Sequence, residues 1–171
     1  QVQVGTPSGG LSPVAASWNS VALATRYELQ ERLNGGTWST VHNAIATSWS
    51  QSRSGGNYDY RVRACSPATC GTWSVIQSAA VLSPPAGVPT IADPGITHGG
   101  HYTISWTSVA TAVNYRLEER IGSGSWTLVG QVTTTSRAFS NKPAGSYSYR
   151  VQACNAAGCG SFSAVRSISV M

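Results

Sequence analysis

One stretch constrains this chain more than any other, and it occurs twice. Tyr58-Asp59-Tyr60-Arg61-Val62-Arg63-Ala64-Cys65 runs through four residues onto Cys70-Gly71-Thr72-Trp73-Ser74. Tyr147-Ser148-Tyr149-Arg150-Val151-Gln152-Ala153-Cys154 runs through four residues onto Cys159-Gly160-Ser161-Phe162-Ser163. Tyr, Val and Ala fall on one parity, and charged or polar residues fall on the other. Alternation with period two is the pattern of a strand with one buried and one wet face. A helix would need apolar residues three and four apart. Each copy therefore reads as a strand, a short loop clipped by two cysteines, and a second strand.

The duplication extends along the whole chain. Trp18 and Trp106, Tyr27 and Tyr115, and Trp38 and Trp126 are each 88 positions apart; Tyr60 and Tyr149, and Cys65 and Cys154, are 89 apart. Solenoid repeats recur every ~20–50 residues, so this period belongs to a small independent domain. Ser83-Pro84-Pro85-Ala86-Gly87-Val88-Pro89 carries three prolines. It cannot form a central strand and reads as a stiff, extended spacer. The expected domains are residues 1–84 and 85–171, held apart by that spacer. Within the first, residues 1–4 form a candidate strand and Thr6 to Gly10 a turn. Val14, Ala16 and Trp18 share one parity, as do Ile104 and Trp106, which makes Trp18 and Trp106 core residues. Tyr27 to Leu33 and Tyr115 to Ile121 alternate again. Glycine turns then lead into short strands carrying Trp38 and Trp126. Further strands are expected over Thr47 to Gln51 and Thr135 to Ser140. About seven short strands per copy, separated by turns, indicate a two-sheet sandwich. The expected fold is all-β: two tandem seven-stranded immunoglobulin-like β-sandwiches.

These residues resemble the fibronectin type III domain. The likeness rests on a Trp ending the second strand, a Tyr-x-Leu third strand, a Gly-x-Trp turn and a Gly-x-Tyr-x-Tyr-x-Val-x-Ala sixth strand. The tail Tyr-x-Tyr-Arg-Val-x-Ala-Cys-x4-Cys-Gly-x-Trp/Phe-Ser is similar to a bacterial variety found in large secreted or surface proteins. The resemblance implies that Tyr58 and Tyr147 are tyrosine-corner residues, each bonding back to nearby backbone. The integrin-binding Arg-Gly-Asp of the animal domains is absent.

Two strands joined by a short loop bring C-x4-C positions within disulfide reach. Cys65–Cys70 and Cys154–Cys159 disulfides are expected, each worth about 2 kcal/mol on the chain-entropy estimate for so small a ring. Reduced thiol pairs are the alternative. Zinc is disfavoured because each domain offers only two thiols. Disulfides imply an oxidising compartment and an extracellular setting. No signal-peptide pattern is present, and the end after Ser167-Ile168-Ser169-Val170 reads as excision from something longer. No apolar run approaches the ~20 residues of a membrane span, so membrane insertion is not expected.

Catalytic chemistry has little to stand on. His98 and His101 share a glycine-rich loop with no acid nearby, and His42 is isolated. Glu118 and Glu119 are strand neighbours and should point to opposite faces, a poor acid–base pair. No metal, cofactor or catalytic residue is expected. The formal charge of +5 and pI near 9.3 raise the question of nucleic acid. Arg61, Arg63 and Arg150 instead alternate along strands, facing Glu28, Gln30 and Glu118 on a neighbour, as a charge ladder would. No nucleic-acid partner is expected. Tryptophan is the informative surplus. Trp38 and Trp126 should lie across outward arginines, half exposed. Trp73, in the last-strand region, could reach the interdomain junction. Trp49 and Trp73 have Phe139 and Phe162 as nearest counterparts. These rings make Trp38, Trp126 and Trp73 the candidate ligand residues.

Three functions fit. The first is a non-catalytic extracellular spacer or interaction module, partnering other domains of a parent protein or surface polymers. The second is carbohydrate binding by exposed Trp. The third is self-association into a surface fibre through strand edges.

Overall fold

The computed structural model describes residues 2–5 and 10–171. Most of the turn expected over Thr6 to Gly10 lies outside the described residues. The chain divides into two compact units, Gln1–Ser83 and Pro84–Met171. Both are β-sandwiches, and no helix occurs among the described residues.

In the first unit, β1 (Val2–Gly5), β2 (Val14–Trp18) and β5 (Ser48–Gln51) make a three-stranded sheet. β4 (Ser39–Ala44), β3 (Arg26–Leu33), β6 (Gly56–Cys65) and β7 (Gln77–Val81) make a four-stranded one. The core between them is built from the alternating set. Val14, Ala16 and Trp18 come from one sheet and Tyr27, Leu29, Tyr58, Tyr60 and Val62 from the other. Fully burying a side chain of this size contributes about 1.5–3 kcal/mol, which is why a one-residue slip in register is not tolerated.

The second unit repeats the plan. β11 (Thr127–Val132), β10 (Asn114–Ile121), β13 (Gly145–Asn155) and β15 (Arg166–Val170) form the larger sheet. β8 (Ile96–Thr97) joins β15 in parallel, and the two-residue β14 (Gly158–Cys159) pairs with β13. β9 (Tyr102–Ser105) and β12 (Ser136–Phe139) form the smaller sheet, extended by a bridge from Ile91 to Trp106.

The structure corrects three local expectations. Trp38 and Trp126 do not lie on strands but in the residues just before β4 and β11. The segment after each second cysteine is not a regular strand: β7 begins only at Gln77 and β15 at Arg166. Ser74 explains the delay. Its amide donates to the Val62 carbonyl at 2.8 Å, while its hydroxyl accepts from the Val62 amide at 3.1 Å. A side chain thus stands in for a backbone carbonyl, and Ser163 does the same for Val151. Trp49 is not the positional twin of Phe139. Trp49 faces Ala16 and Arg137 faces Ile104, whereas Phe139 faces Tyr102. Each ring nevertheless packs on the central tyrosine of its own unit, Trp49 on Tyr60 and Phe139 on Tyr149.

Candidate functional site

The outer face of the first unit's four-stranded sheet carries a ladder of alternating guanidinium groups and indole rings. Its order is Arg32, Trp38, Arg61, Trp73, Arg63, with successive centroid distances of 4.7, 4.2, 4.4 and 4.3 Å. Strand pairing creates it, because Gln30 lies opposite Arg61 and Glu28 opposite Arg63. Gln30 Oε1 accepts from Arg61 Nε and Nη2 at 3.0 and 2.7 Å; Glu28 Oε2 accepts from Arg63 Nε and Nη2 at 2.8 and 2.6 Å. Asp59 holds Arg32 at 2.8 Å and accepts from Ser78. Each guanidinium is thereby fixed flat, in the orientation that stacks on an aromatic face. Burial works to raise the Glu28 carboxyl, but the bonds from Arg63 and Thr40 outweigh it and hold it below the usual range. The bonds from Ser78 and Arg32 hold Asp59 below its usual value.

The second unit keeps a shorter ladder: Arg120, Trp126, Arg150 and Phe162, at 4.9, 4.4 and 4.1 Å. Glu118 stands where Gln30 stood and holds Arg150 at 2.9 and 2.7 Å. Gln152 replaces the last arginine. Ser148 replaces Asp59, and Arg120 Nε is left buried without a hydrogen-bond partner. Trp38, Trp73 and Trp126 are all half-buried. Each has two guanidinium groups stacked on it, so much of the area a sugar ring would need is covered.

A second arrangement, inside each sandwich, escapes a simple reading of polarity. Glu31 shares the inward parity of Tyr27 and Leu29, and Glu119 that of Tyr115 and Leu117. Glu31 accepts from Tyr60 Oη at 2.6 Å and from Arg53 Nε at 2.7 Å. Glu119 accepts from Tyr149 Oη and from Lys142 Nζ at 2.8 and 2.6 Å. Tyr149 is also 2.6 Å from Tyr102 Oη, and since its own proton goes to Glu119, Tyr102 is the donor there. Burial first, then the bond to the carboxylate, pushes both the Tyr60 and Tyr149 phenols far up. Glutamate on the buried parity of a strand was the available sequence signal. The partner cation was not legible, because it arrives from another element 22 or 23 positions on.

The remaining expected residues sit as follows. Tyr58 Oη donates to the Ser54 carbonyl at 3.0 Å and Tyr147 Oη to that of Pro143 at 2.9 Å. Trp18 and Trp106 are buried in the two cores. Cys65–Cys70 and Cys154–Cys159 are joined as disulfides. Glu28 lies near both sulfurs of the first bridge, but a disulfide offers no thiolate to a metal. His42 packs edge-on against Trp18 and shares a 3.2 Å contact with the Ala46 carbonyl. His98 and His101 flank Gly99 and Gly100, both at positive φ. A Cβ on Gly100 would meet the Lys142 carbonyl oxygen at 2.2 Å, so this loop serves close backbone packing.

One cleft opens in the first unit, with a volume of about 360 Å³. It lies between the loop after Trp18 and the disulfide-clipped loop, and Trp18, Val21, Tyr27, Arg63, Gly71 and Trp73 are among its walls.

No protein-family model matches the chain, and no curated protein matches it in sequence. Among solved structures it aligns over 99% of its length with the FN1-FN3 domains of chicken CNTN1, at 18% identity and a TM-score of 0.49. The chain spans 66% of that segment. It also aligns over 99% of its length with a two fibronectin type III domain segment from chicken tenascin, at 16% identity and a TM-score of 0.45, spanning 97% of it. The chain's own strand order defines the class of protein: two all-β units, each a sandwich of two sheets.

Proposed function

We propose that the chain is a non-catalytic extracellular spacer and interaction module, part of a larger secreted or surface protein of the bacterial kind. One observation carries this reading: all six carboxylates have assigned partners. Glu28, Glu31, Asp59, Glu118 and Glu119 are each in an ion pair, and Asp93 accepts from the Gly95 amide at 3.0 Å. A general base needs a carboxylate that can reach a substrate proton; here five are held by cations and Asp93 by the amide of its own turn. The two disulfides support an oxidising compartment. Among the described residues no helix is long and apolar enough to cross a membrane.

The test is affinity electrophoresis of the intact chain through a panel of cell-wall and plant polysaccharides. Unretarded migration is expected, because arginines cover Trp38, Trp73 and Trp126. Retardation that vanishes on changing Trp38 and Trp126 to Ala would replace this reading with carbohydrate binding.

A further inference from the structure

The two units share a loop pole but differ in what lies on it. In the first unit the Val21 amide donates to Tyr27 Oη, and the Gly71 amide donates to the Ala64 carbonyl. In the second, Val109 does the same to Tyr115 and Gly160 to Ala153. Val21 and Gly71 are therefore the structural counterparts of Val109 and Gly160.

In the second unit this place is filled by the unit's own leading segment. Pro85 is buried there, and so is Pro89. A Cβ at Gly160 would stand 2.3 Å from the Pro85 carbonyl oxygen, and one at Gly87 would stand 2.9 Å from Val109 Cγ1. Pro84 Cγ lies 3.5 Å from the corresponding point at Gly158. Glycine is required at 160 because an extended Pro-Pro-Ala-Gly backbone crosses it. In the first unit the nearest atom to a Cβ on Gly71 is the Ala64 oxygen, at 3.6 Å. Among the described residues nothing crosses Gly71, and the open cleft of about 360 Å³ lies there.

We infer that the first unit's cleft is a docking groove for an extended proline-containing peptide with the chemistry of Ser83 to Pro89. Exposed Val21, with the accessible atoms of Trp18, Tyr27 and Trp73, lines the cleft; proline rings present a rigid apolar surface to such a lining and lose little entropy on binding. Gly71 leaves room for the peptide backbone to pass close, as Gly160 does for Pro85. The inference deepens the interaction-module reading by naming the partner's chemistry. A failed peptide titration would leave the polysaccharide result, and that reading, intact.

The peptide Ser-Pro-Pro-Ala-Gly-Val-Pro is titrated into the ¹⁵N-labelled intact chain. Shifts are expected at the amides of Val21, Thr72 and Trp73, with Val109, Ser161 and Phe162 unmoved because the chain's own segment holds their site. Replacing the peptide's prolines with alanine should weaken binding at least tenfold. Gly71→Leu should do the same; its Cβ meets nothing closer than the Ala64 oxygen at 3.6 Å and the position has no positive φ, and an unchanged amide spectrum away from the cleft checks the fold. Val21→Asp, at an exposed position, is the second blocking variant. Three outcomes would overturn the proposal. One is the absence of shifts at these amides at millimolar peptide. Another is binding that survives both variants. The third is a chain that self-associates through these amides without taking up peptide.

Discussion

Lys142→Met tests the buried network of the second unit. The substitution keeps an unbranched side chain of similar length against Phe139 and Tyr147, whose rings Lys142 covers at 5.1 and 4.9 Å. It removes the cation bonded to both Glu119 oxygens. The Glu119 side chain is only 5% exposed, whereas Lys142 keeps 21%. Breaking a buried pair leaves an uncompensated charge and costs about 3–5 kcal/mol; the partial exposure of Lys142 puts the expectation at about 3. For a domain of this size each kcal/mol moves Tm by roughly 4–8 °C, so the second unit should melt about 12–24 °C lower. Differential scanning calorimetry of the intact chain reads this as one displaced transition while the first unit's stays in place. Glu119→Gln added to Lys142→Met removes the stranded charge and should recover a large part of the loss. A loss below about 1 kcal/mol would show that the ion pair is no more than a surface contact. A double variant no more stable than Lys142→Met would also refute the reasoning.

Three other outcomes follow from the same geometry. Ser148→Asp gives Arg120 the partner that Asp59 gives Arg32, and should raise the urea midpoint of the second unit by the equivalent of about 0.5–1 kcal/mol. Because Glu28 and Asp59 are held below their unfolded values, the stability they add is present above about pH 4 and lost as pH falls through their folded values. Tyr60 and Tyr149 are raised, so their contribution is complete below about pH 10 and declines as pH climbs toward their folded values. Denaturant melts across pH should therefore show both an acid and an alkaline limb. Finally, the intact mass without reduction should be lower by two hydrogens per bridge, with no peptide joining Cys65 to Cys154.

The duplication, most of the strands and the outward face of the repeated strand were legible in the amino-acid order, although the strand expected directly after each second cysteine was not formed. Period two is a local property, set by which residues each backbone position can bury. That Arg61 or Arg63 would lie near Glu28 or Gln30, and Arg150 near Glu118, was legible because these residues share the outward parity of their strands; which arginine faces which partner was set by the register. Trp18 and Trp106 were readable as core from strand parity, whereas the backbone-bonding role of Tyr58 and Tyr147 came from the family resemblance. Other features were decided only by tertiary structure, because they join elements whose meeting no local pattern encodes. Glu31 and Glu119 could be placed on the buried parity, but only the folded chain brings Arg53 and Lys142 to them. Trp73 could be placed near the last strand, but only the folded chain stacks that indole between Arg61 and Arg63. The two glycines after the second cysteines look alike in sequence. Only in three dimensions does Pro85 press on Gly160 while Gly71 lines an open cleft.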